Sequence, residues 1–224
     1  MNEEQSIGRV VKDIPGDVEW VIVADNGSKD GTARAAREQG AQVVSEPRRG
    51  YGYACLAGIA NLPAGAEIVV FMDGDYSDYP AELRDLVAAM VEHTADLVVG
   101  SRVLGQREKG SLTPQQRFGN WLSTRLIRLL YGFSYTDLGP FRAIRADALR
   151  RLNMQDRTYG WTVEMQVKVL QHRMKVVEIP VSYRKRIGRS KVSGTISGSV
   201  KAGAKILWTI GRLAMKKPKI EDRG

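Results

Sequence analysis

Short apolar runs alternate with amphipathic stretches through the first hundred residues. Residues 19–24 (EWVIVA) read as a buried strand, and residues 30–39 as a helix that ends at Gly40. A second strand is predicted over 41–45, then a helix of small residues over 51–61. Residues 67–72 (EIVVFM) read as a third strand, 80–92 as a helix with proline in its first turn, and 96–100 as a fourth strand. This order predicts an α/β fold with a mostly parallel central sheet and helices on both faces. Such sheets bind ligands at the carboxyl ends of their strands. The segments leaving three of these strands are Asp25-Asn26-Gly27-Ser28, Asp73-Gly74-Asp75 and Ser101-Arg102, and all three are polar.

The second half is less regular. Helices are predicted over 113–130 and 161–172, and strands over 140–145 and 175–183. With no repeat or low-complexity linker, the pattern favours one domain over 1–193, followed by a basic amphipathic helix and tail over 194–224. Wound at about 100° per residue, Ile196, Val200, Leu207, Ile210, Leu213 and Ala214 share one sector. Lys201, Lys205, Arg212 and Lys216 face the other way, with Trp208 at that side's edge. Such a helix can lie in a membrane interface or dock its apolar stripe on the domain, and the periodicity serves both.

Charge sharpens this picture. The net charge is +9, and residues 179–220 hold eleven Lys or Arg and no Asp or Glu. That block suits phosphates, nucleic acid or an anionic membrane face, with a solvated basic face as the alternative. Nucleic acid ranks low because few aromatics accompany the block. There is no run of 18 apolar residues, and residues 1–6 are acidic and polar rather than a signal peptide. The expected location is the cytoplasm, with peripheral attachment to the cytosolic membrane face. The single cysteine, Cys55, cannot form an internal disulfide and reads as a small packing residue. His93 and His172 are isolated, without metal-ligand spacing.

Asp73-Gly74-Asp75 follows a buried strand, and glycine between the acids lets both turn toward one point. Two anions so close are costly without a cation. Mg²⁺ or Mn²⁺ bridging to a diphosphate would satisfy them, while a turn or cap role is the plainer alternative. Asp25 can accept from a nucleobase N–H or a ribose hydroxyl, and Asp30 can cap the next helix. Arg48-Arg49-Gly50-Tyr51-Gly52-Tyr53 is a basic, glycine-rich loop before a helix start, suited to phosphate. It matches neither the kinase-type phosphate loop nor the dinucleotide fingerprint. Residues 183–191 (YRKRIGRSK) form a basic segment whose arginine forks and lysine suit a diphosphate. Arg102 and Arg117 can present a second anion site or lie on the surface.

Taken in order, these segments resemble the family-2 glycosyltransferases, and within them the dolichol-phosphate-mannose synthase-like group. The resemblance rests on Asn2-Glu3-Glu4, residues 25–32 (DNGSKDGT), Arg49-Gly50-Tyr51-Gly52, Asp73-Gly74-Asp75 and Gly100-Ser101-Arg102. It continues through residues 137–142 (DLGPFR), 160–164 (GWTVE) and 186–191 (RIGRSK). It implies a GT-A fold, a UDP- or GDP-sugar donor, a divalent metal and inversion at the anomeric carbon. By resemblance Glu3, Asp25, Gly50 and Gly52 belong to the nucleotide-sugar site, Asp25 on the nucleoside. Asp73 and Asp75 face the donor phosphates and metal, and Arg102 and Arg117 the phosphate of a polyprenyl acceptor. Arg184, Arg186, Ser190 and Lys191 close on the donor diphosphate. Tyr76-Ser77 depart from the usual pattern after the second acid, leaving the third metal ligand open. No membrane-spanning pair follows Lys191, so a lipid acceptor is met from the surface. Relatives begin with a strand two or so residues before the N-E-E segment. The expectation is therefore a sheet lacking its usual first strand, from a late start or a truncation. Transfer to a soluble acceptor and catalytically silent nucleotide-sugar binding are the competing readings.

Overall fold

The computed structural model describes residues 1–188 and 196–215. In chain order the elements are α1 (Glu4–Asp13), β1 (Ile22–Asp25), α2 (Thr32–Glu38), β2 (Gln42–Ser45) and α3 (Tyr51–Ala60). There follow β3 (Ile68–Phe71), a 3₁₀ turn (Pro80–Glu82), α4 (Leu83–Glu92), β4 (Leu97–Ser101) and α5 (Pro114–Tyr131). The last are β5 (Arg142–Arg145), α6 (Ala146–Leu152), α7 (Trp161–Gln171), β6 (Val176–Pro180) and α8 (Ile196–Met215). Helices α1 and α6 are additional to the predicted elements, and the helix expected over 80–92 begins as the 3₁₀ turn.

Local chemistry explains several boundaries. Thr113 caps α5 by accepting from the Gln116 amide, and the Gln116 side chain accepts in return from the Thr113 amide. Pro114 occupies the first turn, where its missing N–H costs nothing, and Gly132 ends the helix at φ 74°. In α1, Ile7, Val10 and Val11 lie on one face and are buried against α2, β1 and β2.

Four strands form a sheet in the order β3-β5-β4-β6. β5 is antiparallel to both neighbours, while β4 and β6 are parallel, so β3, β4 and β6 share one direction. β4 is buried throughout, and its side chains alternate between two cores. Leu97 and Val99 join Ile144, Ile127, Trp161 and Ile210 on the face covered by α5, α7 and α8. Val98 joins Phe141, Ala143, Leu86 and Met90 on the face covered by α4. α8 docks through buried Thr209, Ile210 and Leu213, and Lys205 adds a 2.9 Å ion pair to Asp156. Of the predicted apolar sector, Ile210 and Leu213 pack on the protein, Leu207 is half-buried, and Val200 and Ala214 are exposed.

β1 and β2 form a separate parallel pair. β1 and β3 are not hydrogen-bonded to each other, so the predicted single sheet is divided here. Their open edges line one cleft of about 1570 Å³, walled by Val10, Val11 and Ile14 on one side and Ile59 and Leu62 of the α3 region on the other. No strand of the described residues lies between them.

Candidate active site

The cleft is apolar along the strands and polar at one mouth, where β1 and β3 end. There it is lined by Glu3, Asp25, Asn26, Arg49, Gly50, Asp73, Asp75, Arg102, Tyr183 and Arg186. Parallel strand order produces this collection, because the segments leaving successive strands all emerge at the same edge.

Asp73 and Asp75 sit on the turn that leaves β3. The Asp73 carboxyl is pushed up to about 7, first by burial and then by the neighbouring charge of Asp75. Asp75 is already engaged. Its Oδ1 accepts from the Ser77 amide at 3.0 Å and the Ser77 hydroxyl at 2.5 Å, and its Oδ2 lies 3.1 Å from Arg186. Arg186 also reaches Glu3 at 2.8 Å, so one guanidinium bridges two acids. Backbone bonds hold this arrangement: the Ile187 amide donates to the Asp75 carbonyl at 2.9 Å and the Arg184 amide to the Ser77 carbonyl at 3.0 Å. Asp78 is buried behind Asp73, its Oδ1 has no hydrogen-bond partner, and its carboxyl is pushed well up by burial.

Three carboxyls here face Arg186 and Arg102, and Arg102 is mostly neutralised by another acid. Asp137 takes it in a fork at 2.7 and 2.8 Å and also accepts from its amide at 2.9 Å. That pairing holds the buried Asp137 carboxyl below its ordinary range despite desolvation. The two adjacent carboxyls of Asp73 and Asp75, with Asp78 close behind, fit a hard divalent cation. Asp73 and Asp75 would hold it, because Asp78 turns away to receive the Asp73 amide at 3.4 Å. Ser77 supplies no third ligand, since its hydroxyl is buried on Asp75. No cluster of three or more His, Cys, Asp or Glu positioned for a metal occurs among the described residues.

The structure divides the residues expected at the site. Glu3, Asp25, Gly50, Asp73, Asp75, Arg102 and Arg186 line one cleft. Arg117 does not: it is exposed on the first turn of α5. Arg184 does not line it either. Its guanidinium lies between the rings of Tyr76 and Tyr79, at 3.3 and 4.2 Å from their centroids, and donates to the carbonyls of Tyr76 and Asp78. Those contacts make Arg184 a brace for the acidic turn. Ser190 and Lys191 lie outside the described residues.

Gly50 and Gly52 have a packing reason beyond phosphate. Gly50 has φ 153°, which glycine adopts readily. A Cβ on Gly50 would strike the Arg157 carbonyl, and one on Gly52 the Asp156 carbonyl. Gly52→Ala is expected to cost about 1–3 kcal/mol by forcing these backbones apart. Chemical denaturation of the variant checks this, and an unchanged midpoint would count against it.

Two contributors have weaker signals in the sequence. Asn26 donates to the carbonyls of Glu46 and Arg48 at 3.1 and 2.6 Å and accepts from the Gly50 amide at 2.9 Å, tying the strand end to the basic loop. Arg49 is the loop arginine that lines the cleft, whereas Arg48 is paired with Glu46 at 2.7 Å. Two adjacent arginines look alike in sequence, and only the turn decides which faces the cleft.

The family model of glycosyl transferase family 2 matches residues 1–152, which contain β1 through β5 and both acids. The chain belongs to glycosyl transferase family 2. It is 39% identical over 202 residues to an uncharacterized glycosyltransferase of Mycobacterium tuberculosis, covering 89% of each chain. It is 33% identical to an undecaprenyl-phosphate mannosyltransferase of Micrococcus luteus, over 80% of this chain and 77% of that one. A dolichyl-phosphate hexose transferase of Haloferax volcanii is 30% identical, over 88% and 86%. In fold, the chain resembles glucosyl-3-phosphoglycerate synthase of Mycobacterium tuberculosis, crystallised with Mn²⁺, UDP and phosphoglyceric acid. The TM-score is 0.77 at 21% identity, covering all of this chain and 78% of that one. This family-2 glycosyltransferase therefore has the GT-A fold, which explains why its polar turns meet at one end of the strands. No described helix is long and apolar enough to cross a membrane.

Proposed function

We propose that this glycosyltransferase moves a hexosyl group, with inversion, from a UDP- or GDP-sugar to a polyprenyl phosphate at the cytosolic face of a membrane. The observation that carries the reading is the Asp73–Asp75 pair, half-buried and buried respectively, opening on the same cleft as Asp25, Arg49 and Arg186. Asp25 would receive the nucleoside, with Glu3 in the same nucleotide-sugar site. Asp73 and Asp75 would hold Mg²⁺ or Mn²⁺ against the donor phosphates, and the metal would supply charge stabilisation of the leaving diphosphate. Arg186, with Arg49 from the opposite side, would take the remaining phosphate charge. Releasing Arg186 from Asp75 and Glu3 would free a planar fork for the diphosphate as the cation takes its place on the acids. The acceptor phosphate is ionised near neutral pH, so alignment and charge stabilisation carry the rate rather than a general base. The names of the Micrococcus and Haloferax relatives support the prenyl phosphate acceptor.

A soluble phosphorylated acceptor is the second reading, favoured by the phosphoglyceric acid in the structural relative. The two are separated by a donor screen with Mg²⁺ or Mn²⁺, reading nucleoside diphosphate release with a short-chain prenyl phosphate or with 3-phosphoglycerate. Release stimulated by the prenyl phosphate is expected. Stimulation by phosphoglycerate alone would overturn the lipid acceptor, and no metal-dependent release with any donor would overturn transfer through this site.

A further inference from the structure

Helix α5 carries large apolar side chains on its solvent side. Phe118, Trp121 and Leu129 are 62%, 52% and 80% exposed. Together with Arg125, they occupy positions i, i+3, i+7 and i+11, which fall within about 80° on a helix. They therefore form one outward stripe, opposite the side that buries Ser123, Thr124 and Ile127. The stripe is locally ordered. The Phe118 and Trp121 rings lie 5.9 Å apart, and the Arg125 guanidinium lies 5.6 Å from the Trp121 centroid.

The charged side chains that α5 and α8 themselves contribute have one sign, although Lys205 is paired with Asp156. α5 contains Arg117, Arg125 and Arg128 and no acid. α8 packs beside it, likewise has no acid between residues 196 and 215, and exposes Trp208 with Lys205 at 4.6 Å and Arg212 at 4.9 Å from its ring. Scattered exposed leucines need no explanation, but an aromatic and aliphatic stripe set among cations on an acid-free helix does.

We propose that the outer stripe of α5 docks on an anionic lipid surface, with Phe118, Trp121 and Leu129 entering the interface and the arginines meeting lipid phosphates. Tryptophan and arginine are suited to the headgroup boundary, where one part of the side chain is apolar and the other wet. A second copy of this chain fits the stripe poorly. A two-fold contact would press Arg125 and its neighbours against their own counterparts with no acid to offset them. Thr113 and Gln116, at the start of α5 and on the side opposite the stripe, line the cleft, so α5 itself lies between a surface docked on the stripe and the cleft. The docking does not rest on the lipid-phosphate reading above.

The experiment is flotation of the full chain with vesicles that contain no prenyl phosphate, comparing pure phosphatidylcholine with mixtures containing phosphatidylglycerol. The parent is expected to float with the anionic vesicles and to be released by salt. Phe118→Ser with Trp121→Ser is expected to weaken binding at least about tenfold, with an unchanged melting temperature and unchanged donor hydrolysis. Equal flotation of parent and variant, or no flotation of the parent, would overturn the proposal. So would a parent dimer in sedimentation analysis that the double variant dissociates without any vesicle binding. Because no acceptor is present, loss of the prenyl phosphate reading would leave the flotation result standing, and the reverse also holds.

Discussion

Replacing Asp73 with asparagine is expected to lower sugar transfer at least about a hundredfold while making the protein more stable at pH 8. The loss follows from the proposed role of Asp73 as one of two carboxylates holding a cation against the donor phosphates. The gain follows from the raised carboxyl. An acid whose folded pKa lies above its unfolded value contributes stability that is complete below the unfolded pKa, near 3.8, and lost as pH rises through about 7. At pH 8 the fold carries the cost of a partly desolvated anion beside Asp75, and the amide removes it. A melting temperature higher by a few degrees, roughly 2–4 °C per kcal/mol for a chain of this size, is therefore expected at pH 8. The difference should shrink at pH 5, where Asp73 is largely protonated. Mn²⁺ should raise the melting temperature of the parent at pH 8 and leave the variant almost unmoved. A variant that is less stable than the parent at pH 8, or that still responds fully to Mn²⁺, would remove Asp73 from this role.

An apolar strand of about five residues appended ahead of Met1 is expected to raise the melting temperature by roughly 10 °C. The reason is the pair of open edges at β1 and β3, which leave backbone donors and acceptors without ladder partners and expose apolar side chains that strands normally bury. Met1 itself lines the cleft at its polar mouth. A strand running parallel to β3 would therefore leave the slot beside Met1 and need almost no connection. Flanked on both sides, it would gain backbone bonds worth about 0.5–1.5 kcal/mol each and bury side chains worth about 1.5–3 kcal/mol each. The cost of ordering is about 1–2 kcal/mol per residue. An extension of equal length patterned with Gly and Ser is the control. Equal shifts from both extensions would show that the slot does not select a strand.

Much of the framework is legible in the residues. The runs at 19–24, 67–72 and 96–100 carry β1, β3 and β4 as continuous apolar segments, but only β4 is buried throughout as that pattern predicts, because β1 and β3 border the open cleft. The cap at Thr113 and the stop at Gly132 mark α5 for the same reason, since unsatisfied helix ends demand particular residues. Helix α1 shows the limit of this reading. Its Ile7, Val10 and Val11 have helical spacing, yet the acidic start reads equally well as a motif loop. β5 is visible as an apolar segment, but its antiparallel direction is not, because period-two burial is the same in either direction.

At the site, residue types alone are enough to select the two acids after β3, Asp25 after β1 and the basic run before residue 188, since chemistry at strand ends is local in sequence. Which cation faces which anion is not local. Arg186 bridges Glu3 and Asp75 across more than a hundred residues of chain, Arg102 is taken up by Asp137, and Arg184 is held between two tyrosine rings. Sequence by itself determined the alternation of elements, the sign and placement of charge, and several of the polar segments that meet at one cleft. Tertiary structure decided the pairing among those charges, the division of the sheet at β1 and β3, and the outward turn of Phe118 and Trp121. The physical reason is that propensity and periodicity act over a few residues, whereas ion pairing, strand direction and the choice of buried face depend on what another part of the chain brings into contact.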